Sequence, residues 1–475
     1  MDKVLADDLA ASDNVEIWAG RIAAAADLPD KRLNTRLAHI LATFARQPKD
    51  SIPQAADNWQ DAKGIYRFLE NKRFDHEPLV QALACATAAT CAGYDRIYLA
   101  HDSSSLNYGT LQCTTGLGRL SDSTKACGLM MHSVLAITTD GIVRGLLDLD
   151  LWHRPVDTRT KEQRQERPFE EKESFKWVRG LRAVSAAFAD LLPSRRPRRV
   201  HLMDREGDIH EVFQEILTLG DGAVIRCAQN RSVAGPMDRA HAAVAASPLV
   251  GTTQLEISEK VGSARKHRQA TLQIRALPVL LTPDQKKYPD RRPLQLNLIE
   301  AREIDAPAGS EPVRWLLWTT EPIATRKDIL ERLREYSLRW RIEEFHLTLK
   351  SGCNTEGLLL ETAERLSKAI VLYAAVAARI VALRDLGRLQ PDAPCTVLLG
   401  DEEWRVLASR FKVKIGPDSK PPTIRQAMMW IGRLGGHLGR KHDGLPGVRT
   451  LWRGWRDLAM LVEGYRLSQH AWNES

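Results

Sequence analysis

Between Tyr336 and Lys350 the chain reads YSLRWRIEEFHLTLK, and residue types suited to chemistry share one side of a predicted helix there. At about 100° per residue, Leu338, Ile342, Phe345 and Leu349 fall on one face at 4-3-4 spacing, which is the face that packs. Tyr336, Arg339, Glu343 and Lys350 fall opposite, within an arc of roughly 60°, so a carboxylate is aligned with a phenol and two cations. Glu344 points about 100° away from Glu343, so the two neighbours cannot share a role. Taken alone, the stripe is equally an ordinary solvated face with i,i+4 pairs such as Arg339–Glu343. Two upstream aspartates change its meaning. Asp102 closes the apolar run begun by Ile97-Tyr98-Leu99-Ala100, and Asp204 closes Val200-His201-Leu202-Met203. Both are predicted at the C-terminal edges of buried parallel strands, where α/β sheets place ligands. A lone Asp after a strand is usually a cap or turn residue. Two of them with a helical Glu suit a divalent cation such as Mg²⁺, which takes hard oxygen ligands.

The elements that must position these residues follow in readable order. A strand is predicted to end at Asp102. A hairpin comes next, HSVLAITT and IVRGLLDLDLW about the turn Asp140-Gly141. A charged helix over 167–192 is stopped by Pro193, and strand VHLMD, a helix over 208–219 and strand GAVIRC follow. This is the order of a ribonuclease-H-like α/β core, which sets its first and fourth strands side by side and brings Asp102 next to Asp204. Residues 228–320 have a different texture. TQLEIS, ATLQIRAL, LQLNLIEA and VRWLLWTT are β-rich, and basic turns separate them (Arg265-Lys266-His267-Arg268, Lys286-Lys287, Arg291-Arg292). They predict an all-β insertion that presents cations, either merely solvated or guiding DNA.

The flanks are helical. Residues 1–70 are Ala-rich with Arg32, Arg36, Lys49, Lys63 and Arg67 on the remaining faces, which fits a small DNA-binding bundle or an ordinary solvated surface. Beyond Lys350, Ala369 to Leu383 is predicted to back onto the core. From about 420 a Trp and Leu periodicity reads as core packing or as a dimerisation surface. The expected fold is α/β: a ribonuclease-H-like catalytic core over 71–365, carrying the β-rich insertion at 228–320, between helical domains at 1–70 and 366–475.

The 475 residues carry a formal net charge of +8 and a pI near 9.1, which favours a polyanionic partner. Seven scattered cysteines without a C-x-x-C pair read as reduced thiols, not a zinc site or a disulfide frame. The N-terminus MDKVLADDLAAS is too acidic for a signal peptide. The longest apolar helix candidate, Ala369 to Ala378, stops at Arg379 and is too short to span a bilayer. A soluble, cytoplasmic protein with no membrane partner is expected.

HDSSSLNYG, MDREGDIHEVF and YSLRWRIEEFHLTLK resemble the three acidic motifs of bacterial cut-and-paste DDE transposases, in the insertion-sequence-four group that includes the transposon-five transposase. The third is similar to that group's signature Tyr-x2-Arg-x3-Glu-x6-Lys, matched by Tyr336, Arg339, Glu343 and Lys350. GIYRFL at 64–69, EKESFKW at 171–177 and WIGRLGGHLGRK at 430–441 also look alike. The resemblance runs from about residue 15 to the C-terminus and is weakest over about 390–425. Ser103-Ser104 stand where the family pattern has threonines.

The resemblance implies a DNA transposase. Asp102, Asp204 and Glu343 would hold two Mg²⁺ ions, for which Mn²⁺ substitutes, in metal-dependent phosphoryl transfer. Arg339 and Lys350 read as phosphate contacts, Tyr336 as a residue positioning the same strand, and Trp340 as a probe of an unstacked base. By resemblance, Trp315 holds a flipped base with Arg226 beside it, and Arg36 and Arg67 contact the transposon end. A buried sheet tryptophan is the plain alternative for Trp315. The family dimerises through its C-terminal part on two DNA ends, cuts through a hairpin and joins the 3′ ends to target DNA, so double-stranded DNA and a homodimer are the implied partners, in the bacterial cytoplasm at the nucleoid. Three other readings stay open. A general metal-dependent nuclease shares the carboxylates, and a non-catalytic DNA-binding regulator keeps the helical flanks. A glycosidase also uses two acids, but Arg339 and Lys350 would spoil a general acid at Glu343.

Overall fold

The computed structural model describes residues 15–473 apart from 110–113, 122–125, 155–158, 161–162, 164–165, 258–267, 287, 290, 308–309, 311, 398, 417 and 441–442. The N-terminal region is helical, as expected: α1 Val15–Ala24, α2 Lys31–Arg46, α3 Ile52–Ala55, α4 Trp59–Glu70 and α5 Glu77–Cys91. The chain punctuates these helices itself. The Asp30 carboxylate accepts from the Arg32 N–H to start α2, and the Asn58 side chain accepts from the Asp61 N–H to start α4. Leu37, Ile40, Leu41, Phe44, Ile65 and Phe68 form the buried side of the pair.

Ten strands among the described residues form one mixed sheet: β1 Arg96–Asn107, β2 Gly118–Arg119, β3 Cys127–Thr138, β4 Val143–Trp152, β5 Arg198–Met203, β6 Gly222–Arg226, β7 Leu249–Ile257, β8 Arg268–Leu281, β9 Leu294–Ile304 and β10 Arg314–Thr319. The order is β2-β3-β1-β5-β6-β10-β9-β8-β7, with β4 also on β3. β1, β5 and β6 run parallel, and the remaining pairs are antiparallel. The β3–β4 hairpin turns at Gly141, whose φ of 92° lies in the region glycine reaches without strain.

Four expectations need correction. The first strand does not end at Asp102. β1 runs on to Asn107 because β3 pairs with it throughout, carrying Ser103-Ser104-Ser105 despite their poor strand propensity. The helix expected over 167–192 is α6 Lys176–Ala187, preceded by 3₁₀ turns at Phe169–Glu171 and Glu173–Phe175. None of those turn residues is buried, and the helix begins only where Lys176, Trp177, Val178 and Leu181 reach the sheet. The insertion is not all-β, since the alanine-rich run Ala240–Ala246 forms a helix (α8, after α7 His210–Thr218). Its strands join the main sheet, because β10 pairs with β6. The apolar helix is also longer than expected. It spans Ala363–Leu389, long and apolar enough by composition to cross a bilayer, yet 89% of its most apolar window is buried against protein.

Of the expected basic turns, residues 265–267 and 287 lie outside the described residues. Two of the cations expected to guide DNA are engaged by acids: Arg268 pairs with Glu303 and Arg291 with Glu211.

The remaining helices are α9 Arg326–Leu338, α10 Arg341–Leu347, α11 Ala363–Leu389, α12 Asp401–Arg410, α13 Ile424–Leu434 and α14 Val448–Asn473. α11 is the central pillar. Its buried Lys368 donates to the carbonyl oxygen of Asn71 at 2.6 Å, which ties the N-terminal helices to it.

Candidate active site

The parallel register of β1 and β5 does the first positioning. Leu99 lies opposite His201 and Ala100 opposite Leu202. The same offset carried on by two residues sets Asp102 against Asp204, where β5 has ended and the two strands part. Asp102 Oδ1 accepts its neighbour Ser103's N–H at 2.9 Å. Asp204 caps a short 3₁₀ turn and accepts the Glu206 N–H at 2.8 Å. Glu343 enters from the first turn of α10, held there because Ile342, Phe345 and Leu349 are fully buried on the other side of that segment.

Arg339 links the acids. Its Nη2 lies 2.6 Å from Glu343 Oε1, and its Nη1 lies 3.7 Å from Asp102 Oδ2. Burial pushes the Asp102 carboxyl up to about 6; Arg339 pulls it back, while Asp204 and Glu343 add to the rise as like charges. Asp204 is raised as well, chiefly by burial. The three acids therefore share one electrostatic field. Their oxygens do not close as a trio to within 4.8 Å, and the Arg339 guanidinium stands between two of them.

The flanking candidates divide into two groups. Lys350 Nζ donates to Ser104 Oγ at 2.7 Å, which places it beside the Asp102 strand. Tyr336 is buried and hydrogen-bonded to Arg339, its ring meeting that of Trp315 edge-on at 5.5 Å. Arg226, on β6, bonds the Tyr336 hydroxyl and donates to the Arg314 carbonyl on β10. Trp315, Arg226, Tyr336 and Arg339 thus form one contiguous wall leading to the acids, with the Trp315 ring only partly buried. The other residues stand apart. Trp340 is 59% exposed at the break between α9 and α10. Arg36 and Arg67 are on α2 and α4, with Arg36 bound to Asp61 at 2.9 Å and Arg67 exposed.

The sequence reading missed the imidazoles. His346 Nδ1 lies 3.9 Å from Asp102 Oδ2, and its Nε2 lies 3.2 Å from Ser133 Oγ. Burial, then Lys350 and Arg339, lower its pKa to about 3, so it stands neutral against the acids. Behind Asp102, three buried histidines cross adjacent strands. His132 Nδ1 is 3.0 Å from Ser103 Oγ, His132 and His101 are 3.4 Å apart, His101 and His201 are 2.8 Å apart, and His201 reaches Asp221 at 3.1 Å. The available signal was three histidines inside apolar strand runs, at positions whose alternation points them to one face.

Two protein-family models match the chain. The transposase DNA-binding model matches residues 15–74, covering α1 to α4 with Arg36 and Arg67. The model of the transposase Tn5 dimerisation domain matches residues 375–474, from the second half of α11 through α14. The acids lie between the two matched segments, in neither of them. Together the matches support a Tn5-like transposase, one that binds DNA and forms a homodimer.

Proposed function

We propose that this chain is a cut-and-paste DDE transposase of the insertion-sequence-four group, whose ribonuclease-H-like core cuts DNA at Asp102, Asp204 and Glu343. The observation that carries the proposal is the β1–β5 register, which brings together the strand ends from which two aspartates of distant motifs follow, with Asp204 acting on Asp102 as a nearby like charge and Glu343 joined to Asp102 through Arg339. The donor set fits Mg²⁺ or Mn²⁺. It consists of hard carboxylate oxygens, and at Asp102 the like charges of Asp204 and Glu343 add to burial in raising the affinity for a proton, a repulsion that a divalent cation turns into attraction. Asp102, Asp204 and Glu343 would hold two such ions, which lower the pKa of the attacking water or 3′-hydroxyl and neutralise charge on the leaving oxygen.

The chain's own side chains do the positioning. Arg339 and Lys350, on either side of Glu343, bind backbone phosphates of the strand being cut, and Arg339 moves from Glu343 to phosphate as DNA enters. Tyr336 orients that strand through its hydroxyl. Trp315 stacks a flipped base within reach of Arg226, and exposed Trp340 contacts an unstacked base nearby. The nicked 3′-hydroxyl then attacks the opposite strand to form a hairpin, which is reopened before the 3′ ends join target DNA. The α2–α4 region, with Arg36 and Arg67, binds the transposon end, and the enzyme works at the bacterial nucleoid.

The test is a cleavage assay with Mg²⁺ on DNA from the ends of the element that carries this gene. Wild type is expected to nick and form hairpins, while Glu343→Ala binds the same DNA without cutting it. Cutting by Glu343→Ala at the wild-type rate overturns the assignment. Tight binding without cutting by wild type favours a non-catalytic DNA-binding regulator.

A further inference from the structure

The geometry points to a second metal site, of the Zn²⁺ class, in the N-terminal helical region at His39, Asp57 and Asp61. His39 lies in the middle of α2. Asp57 immediately precedes the Asn58 cap of α4, and Asp61 lies in that helix's first turn. One ligand atom from each residue lies within 4.8 Å of the other two, the only such group among the described residues. Two carboxylates four positions apart repel each other, so proximity alone needs a counter-charge.

A second observation says where that charge belongs. The Asp61 side chain is only 9% exposed. Its Oδ1 accepts from Arg36 Nη1 at 2.9 Å and lies 2.8 Å from His39 Nε2. Its Oδ2 is buried with no hydrogen-bond partner. Buried carboxylate oxygens are rarely left without a donor, and this one shares a cluster with a second carboxylate and an imidazole. Arg36 occupies Oδ1, so the cation is taken by Oδ2, Asp57 and His39 Nε2. To bind the ion the imidazole gives up its Nε2 contact with Asp61 Oδ1, which Arg36 keeps, carries its proton on Nδ1 and turns its Nε2 lone pair to the ion.

One imidazole nitrogen with two carboxylates selects Zn²⁺ over Mg²⁺, which prefers all-oxygen sites. Three protein ligands leave a fourth tetrahedral position for water. The ion would clamp α2 to α4, the two helices that carry Arg36 and Arg67. This site is independent of the carboxylates proposed for cutting.

The test is Zn²⁺ titration of the full chain in excess Mg²⁺, with bound zinc counted per chain. The parent is Glu343→Ala, which weakens the other carboxylate site. One tight Zn²⁺ per chain is expected, weakened at least about tenfold by His39→Gln and by Asp57→Asn. Without zinc, both variants are expected to melt with the parent, because His39 is half-exposed and Asp57 exposed. If His39→Gln fails to fold, Asp57→Asn decides the question at an exposed position. Unchanged zinc affinity in a folded variant, or no tight zinc in the parent, overturns the site.

Discussion

Glu343 and Glu344 are adjacent, chemically identical, and turned to different partners. Glu343 faces the acids, with its side chain 36% exposed and Arg339 as its ion pair. Glu344 faces α11, where its Oε2 lies 2.5 Å from Arg384 Nη2 and 3.0 Å from Arg341 Nη1. The 100° turn between neighbours was enough to predict from sequence that the two side chains point apart. What Glu344 bonds was not legible, because Arg384 is forty residues away on a helix whose apolar pattern gives no sign of a buried guanidinium. Arg384 keeps a second acid, buried Asp385, at 2.7 Å, so Glu344→Ala should lose about 1–3 kcal/mol of stability, the cost of the hydrogen bonds removed, while the folded enzyme still cuts DNA. Glu343→Gln should change stability by less than about 1 kcal/mol and abolish cutting. Chemical denaturation alongside the cleavage assay distinguishes them, and equal stability loss in both variants would remove the distinction. At Trp315 the prediction concerns a single step. Its ring is partly buried against Tyr336, so Trp315→Ala should slow hairpin formation more than first-strand nicking. Wild-type rates for both steps would mean that the indole is only a sheet residue.

The segment from Tyr336 to Lys350 was expected as one helix and is instead three pieces. α9 ends at Leu338, α10 begins at Arg341, and Thr348–Gly352 widens into a π turn. Periodicity still assigned Ile342, Phe345 and Leu349 to the packing face, because Arg339 and Trp340 keep right-handed helical backbone with φ of −52° and −58°, but Tyr336, expected opposite that face, is buried as well. The widened turn was invisible, since a hydrophobic pattern reports an average pitch and not a local one. A tertiary contact lies at its end. A Cβ on Gly352 would sit 2.6 Å from Cε3 of the Trp452 ring, so the end of this segment is pressed against α14. That contact couples the helix bearing Glu343 to the residues matched by the dimerisation model. Gly352→Ala should therefore cost about 1–3 kcal/mol, despite alanine's better helix propensity. Adding Trp452→Leu should recover part of the loss, as a double-mutant cycle would measure. Additive effects of the two substitutions would show that the ring and the glycine do not press on each other.

Across the whole molecule, stability is tied to protons held or refused in the sheet. His101, His132 and His201 lie on three adjacent strands with no exposure, and Trp177 of α6 closes over His132 at 4.7 Å. The order of elements along the chain was legible because apolar runs and turn signals are local, while the adjacency of Asp102 and Asp204 was expected only from the core that this order implied. The histidine row was not legible, because it exists only once β1, β3 and β5 are in register. Burial, then Lys176 and Arg179 as nearby positive charges, holds the His132 pKa well below its ordinary value. The unfolded chain takes up a proton there as pH falls through about 6.5, while the folded chain refuses it. The contribution of His132 is thus full above that pH and is lost below it, by up to about 1.4 kcal/mol per unit. Asp148 on β4 has the opposite sign. Burial and then Asp150 push its carboxyl up to about 7, so the folded chain keeps a proton that the unfolded chain releases near 4, and stability is lost as pH rises from about 4 to 7. Wild type mixes these with other titrating groups, so the prediction is made on differences. Relative to wild type, His132→Gln should gain about 1–2 kcal/mol on going from pH 6.5 to 5, and Asp148→Asn about 2–3 kcal/mol on going from pH 5 to 8. Urea denaturation across that range measures both. Differences that stay flat with pH would mean that neither group is held neutral in the folded sheet.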